Sequence, residues 1–353
     1  MARALESEAN GCLIACLTAV FTLLLAFIIL IIIGPEILCP FIGCPTCSNK
    51  VVTVLKEKKP QNHDYVYIFG GVNEDENETY SDLIEVYYPN EPGRNRLLNH
   101  TLLYGTKGAA AAVLGAKVFI AGGDTEHFGQ PTNKVQILDI ASGNLSVGPS
   151  MHHSRVYMGC AILNGALCVC GGLDQLRMAQ SSCECLNAAT ERWDSMVSMS
   201  SARSAAPLIE LNDNLYTFDT ERAEKFDPQS KSWTQISIMN RVAERVKAAA
   251  FEEGILACGG LDPATNNITT HCEFYDPKDD RWKAAKSQEI ARSYSAMVKF
   301  DKTALEFGGI DLDGNPLNSV YQYDPKEGWS KLPDMKTARY FVTPVSVPVV
   351  DEL

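Results

Sequence analysis

Short apolar runs that stop at a pair of glycines recur along the chain: VYIFGG ending at Gly71, KVFIAGG at Gly123, LCVCGG at Gly172, ILACGG at Gly260 and LEFGG at Gly309. Such a run closed by Gly-Gly predicts a buried strand stopped by a turn. A further unit, NLYTFDT from Asn214 to Thr220, has the apolar run but carries Asp219 and Thr220 where the glycines stand elsewhere. Counted from Gly70 through Gly122, Gly171, Asp219 and Gly259 to Gly308, the steps are 52, 49, 48, 40 and 49 residues. The short step after Asp219 predicts a tight hairpin around Thr220 to Ala223, read either as structural drift or as a face opened to a ligand. One stretch breaks the pattern. Gly11 to Ile33 runs without a charge or a proline and as a helix would reach about 35 Å, which predicts an uncleaved membrane anchor.

The second half of each unit repeats as well. A strand ends in an aromatic and a turn, as in FDP at Phe226, YDP at Tyr275, YDP at Tyr323 and YYP at Tyr87. Trp193, Trp233, Trp282 and Trp329, all the tryptophans of the chain, share one phase behind these turns. Then comes Met or an equivalent, three residues, and Arg, giving Arg155, Arg203, Arg292 and Arg339, with Arg245 a looser match and Lys107 standing in at the second unit. The pattern predicts four short strands repeated six times.

The glycine pair, the tyrosine and the tryptophan at these offsets resemble the kelch family over residues 51 to 350. The resemblance implies an all-β, six-bladed kelch-type propeller of four-stranded antiparallel sheets, here preceded by one transmembrane helix. The expected organisation is a tail at 1–10, the anchor at 11–33, a Cys/Pro stalk at 34–50 and the propeller at 51–353. The segment RYFVTPVSVPVV is expected to complete the first blade beside YVYIFGG, leaving VVTVL at Val51 as an extra or outer strand.

Composition narrows the function classes. The 353 residues are 46% hydrophobic and 21% charged, which suits a folded chain, and 43 acidic against 31 basic side chains give a net charge of −12 that disfavours nucleic acid. Twelve cysteines are many for a reduced compartment. Aligned on the glycine pair and the tryptophan, Cys170 and Cys258 share one position and Cys183 and Cys272 another, so antiparallel pairing of Cys170 with Cys183 also places Cys168 opposite Cys185. These are expected to be disulfides, with buried free thiols as the alternative, and Cys160 is expected to stay free. Sequons at Asn77, Asn99, Asn144 and Asn267 predict glycosylation and a lumenal or extracellular propeller, although the lysines after the anchor argue for the opposite orientation. The C-terminal Val350-Asp351-Glu352-Leu353 leaves endoplasmic reticulum and cell surface both open. Cys39, Cys44 and Cys47 in the stalk are expected to form a disulfide, with the odd thiol able to link a dimer.

Candidate chemistry is sparse. The copper oxidases with kelch propellers use tyrosine, histidine and cysteine at their metal, but His63, His100, His127, His152, His153 and His271 fall mostly in different predicted loops. Asp311, Asp313 and Asn315 open like a calcium loop but lack its closing Glu. No metal, cofactor or catalytic residue is therefore predicted, and the chain reads as a non-enzyme. In the kelch adaptors of ubiquitin ligases, arginines at the start of the inner strands line the channel mouth and bind acidic peptides. The resemblance puts Arg155, Arg203, Arg245, Arg292, Arg339 and Lys107 in that role, with an acidic protein segment or anionic glycan as partner; pairing of these arginines with carboxylates of neighbouring blades is the structural alternative. The rival functions are a carbohydrate-active kelch enzyme and a cytosol-facing tethered scaffold.

Overall fold

The apolar runs ahead of the glycine pairs are strands with almost no exposed position, among them Lys117–Ala121, Ala166–Cys170, Gly254–Cys258 and Thr303–Phe307. The glycines end them because the chain turns where no side chain fits. At Gly171, φ is +69° and a Cβ would lie 2.5 Å from the carbonyl oxygen of Arg203. The second glycine then reaches the next repeat with its amide, as in Gly172 N to Arg203 O at 3.0 Å, Gly123 N to Arg155 O at 2.8 Å and Gly309 N to Arg339 O at 3.0 Å. The pairs ending at Gly71, Gly123, Gly172 and Gly309 are thus both strand stops and links between repeats.

The computed structural model describes residues 63–73, 80–125, 130–187, 189–241 and 243–348. Among them the strands form six four-stranded antiparallel sheets and one three-stranded sheet, an all-β arrangement that fits a kelch β-propeller. The sheets are numbered one to six in the order of their Gly-Gly strands. Their inner strands are Thr343–Pro348 in sheet one, Ala110–Leu114, Gly159–Leu163, Leu208–Leu211, Lys247–Phe251 and Ala296–Phe300 in sheet six. Each packs on the next, and Thr343–Pro348 touches both Ala296–Phe300 and Ala110–Leu114, so the row closes on itself. There is no single core. Six apolar clusters lie one between each pair of neighbouring sheets, such as Phe69, Ile84, Val118 and Ile120 between sheets one and two.

The tryptophans work in these seams. Trp282 lies opposite Tyr275 across the ladder with ring centroids 5.1 Å apart, and its Nε1 donates to Ser237 O at 2.8 Å in the connection from the preceding sheet. Trp193, Trp233 and Trp329 donate in the same way to Pro149, Val197 and Lys286. Sheet one is built from both ends of the ring, since Thr343–Pro348 pairs antiparallel with His63–Phe69. Residues Val51 to Leu55 lie outside the described residues.

In sheets three and five the cysteines meet in register. Cys168 is opposite Cys185 and Cys170 opposite Cys183, with Cα separations of 4.0 and 4.2 Å, and Cys258 is opposite Cys272 at 4.1 Å; all three pairs are bonded. Cys160 is free, its Sγ donating to Ala111 O, and desolvation pushes its thiol up to about 11.

The membrane localisation expected from the sequence is corrected here. Among the described residues no helix is long and apolar enough to cross a membrane, and the one helical element is the 3-10 turn Pro92–Arg94. The segment 11–33, the stalk cysteines Cys39, Cys44 and Cys47, Asn77 and the last four residues lie outside the described residues; Asn99, Asn144 and Asn267 are exposed.

The cysteine register yields a measurable expectation. The Cys258 to Cys272 bond closes a loop of 14 residues and should contribute about 3 kcal/mol. Replacing both by alanine should lower the urea midpoint accordingly, and reductant should then have less effect on the variant than on the parent. Identical denaturation curves for parent and variant would show that the bond adds nothing.

Candidate functional site

The residue that opens each inner strand sets up the site. At this position stand Thr106, Arg155, Arg203, Ala243, Arg292 and Arg339, and the four arginines are between 0% and 4% exposed. A guanidinium carries five donors and is costly to bury unless they are met. Arg155 meets them inside its own sheet. Its Nε donates to Glu184 Oε1 at 3.1 Å, Nη1 to the carbonyls of Gly171 and Ser182 at 2.8 and 3.0 Å, and Nη2 to Ser182 Oγ at 2.8 Å. Arg339 does the same in sheet one with Glu85 Oε2 at 3.0 Å and Gly70 O at 2.8 Å. Desolvation lowers the pKa of Arg155 and Arg339 and raises that of Glu85, and the opposite charge works against both shifts.

The expectation that Arg155, Arg203, Arg292 and Arg339 line the channel mouth is therefore corrected: they point into their own sheets, toward a glutamate and, for all but Arg203, a glycine carbonyl. Nor do they bridge to a neighbouring sheet's carboxylate. The missed partners are Glu85, Glu184 and Glu224, and Glu273 shares with them the second position of the third strand. Their shared place behind the glycine pair was a readable signal. Sheet two lacks both halves, with Thr106 facing Gln136, whose amide serves Leu103 N and Tyr104 O instead. In sheet six the carboxylate has moved to the adjacent strand: Glu306 lies opposite Tyr321, 4.0 Å from Arg292 Nε, while the guanidinium stacks 4.8 Å over the Tyr321 ring.

Two residues further on, Gly108, Tyr157, Ala205, Arg245, Tyr294 and Phe341 all take φ between 53° and 62°. Their identities differ, but the left-handed turn is common to all, and it swings the chain from the connection into the inner strand. Five of them are chained head to tail by four backbone bonds, Phe341 N to Tyr294 O, Gly108 N to Phe341 O, Tyr157 N to Gly108 O and Ala205 N to Tyr157 O, at 2.7 to 3.4 Å. The links that would flank Arg245 are not among these. Arg245 is thus two positions beyond the buried arginines, and its guanidinium sits 4.9 Å over the ring of Tyr294 and bonds its hydroxyl. Lys107 is one position beyond, with Nζ 4.4 Å over the Tyr80 ring.

Inside this collar the inner strands enclose a cavity of about 440 Å³. Tyr157, Tyr294 and Phe341 form an aromatic side, with Tyr294 and Phe341 centroids 4.5 Å apart and Tyr157 and Phe341 4.9 Å apart. Arg245 and Lys247 supply its positive charge, and no Asp, Glu or His lines it. Desolvation brings the Lys247 ammonium down to about 8. A second cavity of about 380 Å³ shares Ser204, Ala205 and Arg245 with the first. It exists because sheet four has the short hairpin: Asp219 N bonds Arg222 O at 2.9 Å, and the four-residue turn leaves open the space that a longer loop fills elsewhere. With no glycine carbonyl in reach, Arg203 takes Asp219 Oδ2 at 3.3 Å beside Glu224 Oε1 at 2.6 Å.

The other sequence candidates do structural work. Asp311 Oδ1 accepts the amides of Asp313 and Asn315, both at 2.9 Å, so the carboxylate closes its own turn. His152 and His153 give their backbone amides to Glu184. Among the described residues no group of three metal-ligating side chains is present.

Comparison with known proteins agrees with this geometry. A Kelch motif matches residues 291–336. Kelch-like protein 35 of Mus musculus is 27% identical over 187 residues, 51% of this chain and 31% of its own length. Kelch-like protein 34 of Homo sapiens is 29% identical over 127 residues, 34% of this chain and 20% of its own, and Alpha-scruin of Limulus polyphemus is 24% identical over 240 residues, 61% of this chain and 26% of its own. The chain thus spans less than a third of each of these relatives. Together they support a kelch-repeat family.

The buried pairs and the collar should respond differently to mutation. Arg155→Ala strands Glu184 without its cation and should cost about 3 to 5 kcal/mol, whereas the double change Arg155→Met with Glu184→Leu should recover most of that. Arg245→Ala, at a half-buried rim, should cost less than about 1 kcal/mol. Thermal melts of the three proteins decide the matter; equal losses at Arg155 and Arg245 would refute the assignment.

Proposed function

We propose that this kelch-repeat chain is a six-bladed, non-catalytic protein-binding module whose ligand is an acidic segment seated in the channel mouth. The carrying observation is the lining itself: Arg245 and Lys247 stand beside Tyr157, Tyr294 and Phe341 with no carboxylate among the lining residues. A cavity with two cations in a chain of net charge −12 holds a local field opposite to the global one and selects anions. Aromatic rings next to an arginine favour a peptide over a bare anion, because they bury apolar side chains while the guanidinium takes a carboxylate in its fork. The notch at sheet four, sharing Arg245, gives an extended segment a way out of the channel. The relatives whose names mark them as kelch proteins are consistent with a binding role. Glycosidic chemistry would need two carboxyl groups facing one bond, and the absence of Asp and Glu from this lining favours binding; an anionic glycan remains the competing ligand.

Affinity selection from a peptide library on the full chain should enrich acidic sequences with an aromatic or branched apolar residue. Arg245→Glu with Lys247→Glu should abolish that enrichment without shifting the melting temperature by more than a few degrees. Retained enrichment would remove the channel from consideration, and selective capture of sulfated glycans would move the assignment to the competing ligand. Because Lys247 loses its charge near pH 8, affinity for an acidic peptide should fall as pH rises through that value, and Lys247→Met should flatten the profile.

A further inference from the structure

Sheet five keeps a receptor for a guanidinium and lacks the guanidinium. The phase is unambiguous: Met239 precedes Ala243 by four residues as Met151 precedes Arg155 and Met335 precedes Arg339. The residue after each also makes the same bridge to the one after the glycine pair, Glu244 with Leu261 as Val156 with Leu173 and Ser293 with Ile310. Ala243 therefore stands where the other sheets place a buried arginine. Opposite it Glu273 is retained, 3% exposed, with the acceptor geometry of Glu184. Asn240 N and Arg241 N donate to its two oxygens at 2.8 and 2.9 Å, as His152 N and His153 N do to Glu184 at 2.7 and 3.4 Å.

Where the arginine side chain would run, the structure holds a cavity of about 80 Å³ lined by Ala243, Gly259, His271, Glu273, Asp262 and Arg241 among others. That is ample for several waters or one planar cation. Gly259 and His271 occupy the places of Gly171 and Ser182, the residues whose carbonyls accept from Arg155, since Gly259 N bonds His271 O as Gly171 N bonds Ser182 O. His271 Nε2 is 3.3 Å from Glu273 Oε1 and supplies one donor to the carboxylate. Arg241 is exposed at the rim, and Asp262, also in the lining, has its Oδ1 taken by the amides of Ala264 and Thr265 at 2.8 and 3.1 Å.

Sheet two shows what loss of the arginine looks like when the site is given up. There Thr106 and Gln136 replace cation and carboxylate together, and the neutral pair bonds backbone groups. Sheet five has lost the cation alone. Glu273 keeps the amides of Asn240 and Arg241, the Asn240 Nδ2 at 3.3 Å and the His271 ring at 3.3 Å, but not the arginine that pairs with Glu184, Glu224 and Glu85; removing only the cation of such a buried pair typically costs several kcal/mol.

We propose that this cavity binds a guanidinium group from outside the fold, with Glu273 as its counter-ion and the Gly259 and His271 positions completing the acceptor set. The same chemistry could be carried by a small alkylguanidinium compound or by an arginine side chain of a protein segment. Binding to the full chain should be measured calorimetrically with N-methylguanidinium, with methylammonium as the control cation, and with capped Gly-Arg-Gly and Gly-Lys-Gly peptides. N-methylguanidinium should bind and methylammonium should not. Binding of the arginine peptide as well assigns the site to a protein segment; binding of the small cation alone assigns it to a free compound.

Two variants guard the result. Ala243→Arg should fill the site, raise the melting temperature and abolish binding, and Glu273→Gln should weaken binding by roughly tenfold or more while keeping the fold. If methylguanidinium binds Ala243→Arg as it binds the parent, or if neither guanidinium compound binds the parent, the proposal fails. Binding seen only after Arg241→Ala would overturn it in favour of Arg241 as an internal occupant.

Discussion

A guanidinium shut away from water is the constraint around which this fold is arranged. Arg155, Arg203, Arg292 and Arg339 need their donors met by carboxylate and carbonyl oxygens, and those oxygens come from strands two and three of their own sheet. Satisfying one arginine therefore fixes where the glycine turn, the third strand and the incoming connection stand relative to one another. Burying the charge is not a source of net stability compared with a well-packed apolar core. Its value lies in geometry, because a sheet with the wrong register leaves a charge unpaired and is disfavoured. The solutions vary within that rule. Sheet four substitutes Asp219 for a glycine carbonyl, and sheet six shifts the carboxylate to Glu306 and stacks the cation on Tyr321.

The same residue faces two ways. Its side chain ties its own sheet together, while its carbonyl accepts an amide from the preceding repeat's second glycine, as Arg203 O does from Gly172. The arginine is spent on architecture, which leaves the channel to the left-handed residue two places on. That position tolerates Gly, Ala, Tyr, Phe or Arg because only its backbone is prescribed. Scaffold and recognition surface are thus separated by two residues of chain, and the surface is free to vary.

Much of the fold was legible because it depends on local signals. Apolar runs stopped by Gly-Gly gave the second strands, the period-two pleat placed Cys168 opposite Cys185 once Cys170 faced Cys183, and the missing glycines at Asp219 marked the short hairpin. The segment after Arg339 was readable as the strand beside YVYIFGG because it opens like the others. The site was harder to read. Whether an arginine points inward depends on carbonyls 16 to 27 residues away for Arg155, and carbonyls leave no mark in residue identity. The collar was hidden for a similar reason, since six dissimilar side chains share a φ that only glycine advertises. Arg245 looked like an imperfect copy of the buried arginines and is instead a different position altogether.

The ring is sealed by its last strand, and this has a consequence for synthesis. Glu85 meets Arg339 across 254 residues of chain. At about 5 to 20 residues per second, a ribosome delivers the partner roughly 13 to 50 s after the glutamate has emerged. Throughout that interval the first Gly-Gly strand has an open edge, and the face that sheet six will cover stays bare until near its end, while sheets two to six are each made of contiguous chain and can form in order of appearance. The hazard during synthesis is therefore concentrated in one nascent segment, His63–Phe69, whose safety depends on what shields it until Thr343–Pro348 has emerged.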